Sequence, residues 1–251
     1  MGTVNYISLK ERLRKGEFVL GTWCEIPSPE LINVLAKAGL DFVIIDMEHG
    51  AMDFTTCFRM VIAAQVEGCT PLIRVSGNNE PDILRSLETG AEGIIVPHIE
   101  SVKDREKAVA YMKFPPAGKR SLNPYTRAGG YQVLRDYTKQ QNKNLLSCLI
   151  VEGKNGILEL EKILDNNEVD AIYIGTYDIS LALGVPGDTG NKKVIETLKK
   201  MVKLIRNKNK IAGCMFHTNK ELKLFKKIGI QLLCYKVDTG VIFDAFNKLR
   251  S

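Results

Sequence analysis

The chain has 251 residues, of which 45% are hydrophobic and 25% charged, a composition typical of a globular protein with a sizeable core. This composition excludes disordered, collagen-like and coiled-coil proteins. The 35 Lys and Arg residues exceed the 29 Asp and Glu residues, giving a net charge of +6, but the lysines alternate with apolar residues on predicted helices. We therefore expect a solvated helix surface and no nucleic-acid partner.

Eight short apolar runs, most of them ending in polar residues, predict β-strands. They lie at 19–24, 42–48, 71–75, 93–99, 146–152, 171–178, 210–216 and 231–238. Between them, apolar residues at three- and four-residue spacing predict seven helices, at 29–39, 55–68, 80–90, 101–112, 155–166, 194–207 and 219–229. Ser28 and Asn79 are expected N-caps, and Gly39, Gly90 and Gly229 expected left-handed C-caps.

The alternation of strand and helix predicts a parallel α/β fold in one domain, residues 1–251. Eight βα units in a chain of this length favour a closed (β/α)₈ barrel, known as a TIM barrel. An open doubly wound sheet is the alternative, but the glycine-rich dinucleotide motif is missing after the first strand. One interval, 113–136, is too long for a plain connection, and we interpret it as an active-site loop.

The chain carries no export or membrane signal that we can identify. Its first 18 residues lack the apolar core of a signal peptide, and no apolar run reaches about 18 residues. The six cysteines show no C-x-x-C spacing, and four lie in strand-like runs. These features predict a cytoplasmic protein with buried, reduced thiols and no membrane partner.

Polar residues that close the strands are the candidate site, because the carboxyl ends of barrel strands form the active face. Glu152 and Asp178 could together hold a hard divalent cation such as Mg²⁺ or Mn²⁺. Asp178 could equally be an N-cap. Asp46 could orient the imidazole of His49 as a base, and Arg74 would need an anionic partner such as a substrate carboxylate or enolate. We assign His98 and His217 structural or supporting roles.

The ordered segments FVIIDMEHG, PLIRV, FPPAGKRSLNPYTRAGG, LIVEGKNGI, IGTYDISLALGVPG and YKVDTG resemble the HpcH/HpaI aldolases. These are metal-dependent class II pyruvate aldolases that cleave 4-hydroxy-2-keto acids. The resemblance spans about residues 21–238. It implies a lyase (EC 4.1.2.-) that uses Mg²⁺, Mn²⁺ or Co²⁺ and releases pyruvate, or a close analogue, and an aldehyde.

Site roles follow from the resemblance, position by position. It implies that His49 is the acid/base residue with Asp46 as its orienter, that Arg74 binds the enolate oxygen, and that Glu152 and Asp178 hold the metal. The expected substrate-binding residues are Gly175 and Thr176, together with Arg120 and Arg127 of the long loop. The two arginines are candidates for a distal carboxylate, and a solvated surface position is the equal alternative for each. The resemblance also implies a homo-oligomer, with a hexamer exchanging the C-terminal helix, 239–251, as the expected form.

Three positions depart from the family pattern. Thr176 and Tyr177 replace the usual Pro-x after Gly175, Ser121 replaces a loop glycine, and Lys236 stands where glycine usually precedes Val-Asp. Strand alternation puts Lys236 on the same face as Cys234 and Asp238, so a metal-free aldolase forming a Schiff base on Lys236 is an alternative. A citrate-lyase-like acyl-thioester lyase and a barrel without catalytic activity are the others.

Overall fold

The computed structural model describes residues 7–133 and 135–250, and its eight parallel strands close into a barrel in chain order. The strands are β1 (Val19–Cys24), β2 (Phe42–Asp46), β3 (Thr70–Arg74), β4 (Gly93–Val96), β5 (Leu146–Val151), β6 (Ala171–Ile174), β7 (Ile211–Phe216) and β8 (Leu232–Val237). Each strand pairs with its chain neighbour, and β8 pairs with β1. The predicted single (β/α)₈ barrel is confirmed.

Helices follow the strands and cover the outside of the barrel. They are α1 (Leu9–Arg14), α2 (Pro29–Lys37), α3 (Phe54–Val66), α4 (Glu80–Glu88), α5 (Val102–Met112), α6 (Tyr137–Asn144), α7 (Lys154–Ile163), α8 (Thr176–Ala182), α9 (Lys192–Asn207), α10 (Asn219–Ile228) and α11 (Asp238–Asn247). All seven predicted internal helices are present. Ser28 and Asn79 accept hydrogen bonds from the amides of Leu31 and Asp82, as N-caps should.

Alternating strand residues build two apolar layers. Phe42 and Ile44 point into the barrel, whereas Val43 and Ile45 pack under the helices. Because both faces of each strand are buried, the strand sequences are nearly continuous runs of apolar residues. Leu13 of α1 joins the interior layer and covers the amino-terminal end of the barrel, which leaves the carboxyl-terminal end as the open face.

Three strands end more than one residue earlier than the sequence predicted, and each ends at a backbone reversal. β2 stops at Asp46, whose carboxylate accepts hydrogen bonds from the backbone amides of Glu48 and His49. β4 stops before His98, which has a φ of 56°. β6 stops at Ile174 because Gly175 caps α8. Asp178 therefore lies in the first turn of α8 and is not its N-cap, which corrects that alternative.

The described residues of the long segment, 113–133 and 135–136, lie at the amino-terminal end of the barrel and not at its open face. The segment follows a helix and precedes β5, and in this fold the helices end beside the strand beginnings. Its first residues are fixed there, since Lys113 Nζ donates to the Asn142 carbonyl at 2.8 Å and Asn142 bonds the backbone of Phe114. Within one chain, this segment does not cover the open end, contrary to our interpretation as an active-site loop.

All six cysteines are buried and free of disulfides, as predicted. None of the helices in the described parts of the chain is both long and apolar enough to span a bilayer.

Candidate active site

A cavity of about 400 Å³ opens at the carboxyl-terminal end of the barrel. Most of its walls come from residues at or just after strand ends. The lining residues are Trp23, Glu25, Asp46, His49, Arg74, Ile150, Glu152, Tyr173, Ile174, Gly175, Thr176, Tyr177, Asp178, Met215 and Val237. Seven of the nine site residues predicted from the sequence therefore meet in one place.

Asp46 and Arg74 form a buried ion pair at the centre of this wall. Arg74 Nε donates to Asp46 Oδ1 at 2.9 Å, and its Nη2 donates to Asp46 Oδ2. The same carboxylate accepts the backbone amides of Glu48 and His49 at 3.0 and 3.2 Å. Asp46 thus holds the turn that carries His49 through hydrogen bonds to the backbone. The sequence interpretation had instead predicted a contact between Asp46 and the His49 imidazole.

His49 extends into the cavity from that turn. Its side chain is exposed, and within the described residues its imidazole makes no hydrogen bond or ion pair with the protein. An imidazole with both nitrogens free at a cavity wall can exchange a proton with a bound ligand, directly or through water. This position agrees with the role of acid/base residue.

A chain of polar contacts links Arg74 to Glu152 through Glu48, to which the sequence interpretation assigned no role, and His98, to which it assigned a structural or supporting role. Glu48 Oε2 lies 3.0 Å from Arg74 Nη1, and Glu48 Oε1 lies 2.6 Å from His98 Nε2. The other ring nitrogen of His98 lies 2.9 Å from Glu152 Oε1, and its backbone amide donates to the same oxygen at 3.2 Å. Glu48 and His98 thereby fix the rotamer of Glu152.

Glu152 and Asp178 provide carboxylates suited to a hard cation. Burial raises the pKa of Glu152, as do the charges of Asp178 and Glu48, whereas His98 opposes this effect. A cation beside these acids would relieve the repulsion. Glycine at position 175 lets the Glu152 carboxylate lie close to the backbone there, because a Cβ atom at this position would be only 2.6 Å from Glu152 Oε2.

The donor set fits a metal that keeps open positions. No group of three or more His, Cys, Asp or Glu side chains in the described residues is arranged to hold a metal by itself. Mg²⁺ and similar ions bind through one or two carboxylates and complete their coordination with water and substrate oxygens. Glu152 and Asp178 match that pattern.

An aromatic pair forms part of the cavity floor. Trp23 and Tyr173 meet edge to face with ring centroids 5.1 Å apart, and the indole N–H donates to the Tyr173 hydroxyl at 2.7 Å. The guanidinium of Arg74 lies 4.4 Å from the centre of the Trp23 ring. This stacking holds one face of the guanidinium, whereas Asp46 and Glu48 contact its nitrogen atoms.

Tyr177 and His217 stand at the rim between β6 and β7. The Tyr177 hydroxyl and His217 Nε2 are 3.0 Å apart, and the Nδ1 atom of His217 lies 3.6 Å from Glu221 Oε2. Tyr177 lines the cavity, and it is one of the positions where the sequence departs from the family pattern. The sequence interpretation had not assigned it a role.

Lys236 does not line the cavity. A register irregularity between β1 and β8 and a φ of 49° at Lys236 break the strand alternation, so that Val237 faces the cavity instead. Lys236 pairs with Asp244 of α11, and this hydrogen bond raises the pKa of Lys236. A Schiff-base lysine needs a lowered pKa, so the structure contradicts that alternative.

Arg120 and Arg127 are also remote from this cavity within one chain. Arg120 is buried with its guanidinium 4.4 Å from the centre of the Phe114 ring, and Arg127 donates to the Thr89 carbonyl at 3.2 Å. Both belong to the segment at the other end of the barrel. Neither can bind a distal carboxylate in the cavity of its own chain, which corrects that expectation.

Comparisons with known proteins give consistent results. The profile of the HpcH/HpaI aldolase/citrate lyase family matches residues 20–244. Over 240 residues the chain is 28% identical to the 5-keto-4-deoxy-D-glucarate aldolase of Enterobacter sp. (strain 638), covering 96% of this chain and 94% of that protein. It is also 28% identical over 240 residues to the 2-keto-3-deoxy-L-rhamnonate aldolase of Escherichia coli (strain K12), covering 95% and 90%.

Among solved structures, that of the citrate synthase SbnG superposes with a TM-score of 0.88. Its sequence is 29% identical, and the match covers 96% of this chain and 95% of that chain.

Proposed function

The chain belongs to the HpcH/HpaI aldolase/citrate lyase family, and on this basis we propose that it is a divalent-metal-dependent aldolase. It would reversibly cleave a 4-hydroxy-2-keto acid to pyruvate, or a close analogue, and an aldehyde. The observation that carries the proposal is the meeting of His49, Arg74, Glu152 and Asp178 in one cavity at the open end of the barrel. The names of two relatives, both keto-acid aldolases, support the reaction class.

Glu152 and Asp178 would hold the metal, with Gly175 leaving room for it. Bound there, a divalent ion supplies Lewis-acid polarisation of the 2-keto group. Mg²⁺, Mn²⁺ and Co²⁺ are the candidates.

Arg74 would stabilise the negative charge that develops on the keto oxygen as the carbon–carbon bond breaks. Its hydrogen bonds to Asp46 use the Nε–H group and one N–H of Nη2, and Glu48 Oε2 lies 3.0 Å from Nη1 without forming a hydrogen bond, so N–H groups of Nη1 and Nη2 stay available to the substrate. Because the pair with Asp46 and the stack on Trp23 fix the guanidinium in advance, little reorganisation is needed during the reaction.

His49 would accept the proton of the 4-hydroxyl group in cleavage and return it in synthesis. Asp46 sets its position through the backbone amide. The apolar floor of Trp23, Tyr173 and Ile150 would shield the reacting atoms from bulk water, which strengthens the electrostatic contribution of Arg74.

We also propose a cytoplasmic homo-oligomer, with a hexamer as the expected form. The apolar side chains of Phe243, Phe246 and Leu249 at the carboxyl-terminal end are 67%, 68% and 82% exposed and need a covering surface. Exchange of α11 between subunits would supply one.

A citrate-synthase-like condensation is a second candidate, favoured by the 29% identity to SbnG over nearly the whole chain. The two reactions are separable in one experiment. The purified protein is given 5-keto-4-deoxy-D-glucarate or 2-keto-3-deoxy-L-rhamnonate with each metal, and pyruvate release is followed. In parallel, it is given oxaloacetate and acetyl-coenzyme A, and free thiol is followed. Metal-dependent pyruvate release supports the aldolase; thiol release without pyruvate release contradicts it.

A further inference from the structure

The cavity carries more negative than positive charge. Four carboxylates line it, those of Glu25, Asp46, Glu152 and Asp178, and the one guanidinium that faces them is Arg74. That guanidinium is already paired with Asp46 and lies 3.0 Å from Glu48. A divalent metal would balance the charges of Glu152 and Asp178, and Arg74 would face the negative charge of the keto-acid end of the substrate. Within one chain, the described lining then contains no further arginine or lysine to receive a second carboxylate on the substrate.

Two basic side chains just outside the lining are also engaged. Lys236 pairs with Asp244, and its ammonium lies on the side of α11. His217 shares a hydrogen bond with Tyr177 and lies near Glu221. Neither group is free to turn toward the cavity without breaking an existing pair.

Glu25 is the one lining carboxylate without an assigned role. Asp238 accepts the backbone amides of Glu25 and Ile26, both at 3.1 Å, and this fixes the turn after β1. The Glu25 side chain is half-buried, and among the described residues it forms no hydrogen bond or ion pair. Burial raises the pKa of Glu25, as do the charges of Asp46 and Asp238, whereas His49 and Arg74 act in the opposite direction. A carboxylate without a hydrogen-bond partner is an acceptor for a ligand hydroxyl and repels a ligand anion.

We propose that Glu25 is a specificity-determining residue that restricts the aldehyde partner to neutral, hydroxyl-bearing aldehydes. Its carboxylate accepts a hydrogen bond from a substrate hydroxyl and excludes aldehydes that carry a carboxylate. This inference rests on the proposed aldolase function. It extends that function, since the reaction class alone is compatible with both kinds of aldehyde.

The test uses the synthesis reaction of the full-length protein with pyruvate and saturating Mg²⁺ or Mn²⁺. Glycolaldehyde and glyoxylate form a matched pair, because they differ only in a hydroxymethyl group against a carboxylate. The quantity measured is the ratio of kcat/KM for glycolaldehyde to kcat/KM for glyoxylate. In Glu25→Gln, which keeps the size of the side chain and removes its charge, the ratio should fall at least ~10-fold, mainly through a gain with glyoxylate. The control Glu30→Gln, an exposed site on α2 outside the cavity, should keep the ratio of the parent protein.

A second measurement needs no variant. Raising the ionic strength from low to moderate should increase kcat/KM of the parent protein for glyoxylate and leave glycolaldehyde unchanged, because salt screens repulsion between charges. An unchanged ratio in Glu25→Gln, or an equal salt response of both aldehydes, would overturn the inference while leaving the aldolase standing. Failure of the parent protein to condense pyruvate with either aldehyde would contradict the aldolase proposal itself.

Discussion

Asparagine in place of Asp46 should destabilise the protein strongly, even though the two side chains have nearly the same size. The Asp46 side chain is 1% exposed and the Arg74 side chain 12% exposed. Removing one partner of a buried ion pair commonly costs about 3–5 kcal/mol, because the other charge stays buried without compensation. Glu48 remains 3.0 Å from the guanidinium and offsets part of that loss. We therefore expect a decrease of about 2–3 kcal/mol in the free energy of unfolding.

Urea unfolding at a fixed protein concentration measures this decrease, with circular dichroism reporting on the whole fold. The fluorescence of Trp23, the single tryptophan, reports on the site itself, because the Arg74 guanidinium stacks 4.4 Å from its ring centre. Asp53→Asn is the matched control. Asp53 is an exposed N-cap that accepts the Thr56 amide, and asparagine caps equally well, so the change should stay within about 0.5 kcal/mol.

Equal unfolding free energies for Asp46→Asn and Asp53→Asn would refute this reasoning. Such a result would mean that the Asp46–Arg74 pair is solvated in solution, and Arg74 could not be considered fixed in advance for the substrate.

Three further predictions concern single residues. His49→Ala should slow aldol cleavage by roughly 10²–10⁴-fold but spare proton exchange at the pyruvate methyl group, followed by NMR in D₂O; equal losses would exclude the assigned role. Lys236→Ala should retain metal-dependent turnover, and borohydride with pyruvate should leave no adduct on Lys236 by mass spectrometry. Burial lowers the pKa of Lys113 to about 8. Below that pH the buried ammonium is charged, and this lowers the free energy of unfolding. The stability of Lys113→Met relative to the parent protein should therefore decrease by roughly 2–3 kcal/mol from pH 7 to pH 10, measured by urea unfolding; a difference independent of pH would contradict it.

The barrel could be predicted from the sequence because its determinants are local and periodic. Each strand is a short apolar run buried on both faces, and each helix carries an apolar stripe with recognisable caps. The rule that strand ends form the active face then placed His49, Arg74, Glu152 and Asp178 together. It needed no knowledge of side-chain contacts.

The remaining errors have physical causes that a linear pattern does not contain. The link from Glu48 through His98 to Glu152 depends on a left-handed residue, His98, and no residue type in this run signals that conformation. Lys236 was placed on the wrong face because a register irregularity interrupts the two-residue period. Glu25 was missed because it follows β1, whose last strand residue is an apolar cysteine.

The long segment was misplaced for a topological reason. Its length suggested an active-site loop, but a connection from a helix to the next strand lies at the amino-terminal end of a (β/α)₈ barrel. Because Arg120 and Arg127 belong to this segment, the same interpretation predicted both of them at the open end of the barrel. Order along the chain contained this information, and applying it would have placed both arginines outside the cavity of their own chain.

Titration of the metal-free protein with Mn²⁺, with the free ion followed by electron paramagnetic resonance, tests the central proposal most directly. We predict one tight site per chain, and pyruvate release from a 4-hydroxy-2-keto acid that rises in proportion to its occupancy. Glu152→Gln and Asp178→Asn should each weaken binding by at least ~10-fold while keeping the circular dichroism spectrum of the parent protein. Full pyruvate release by the metal-free protein, or unchanged Mn²⁺ affinity in both variants, would contradict a metal-dependent aldolase built on these two carboxylates.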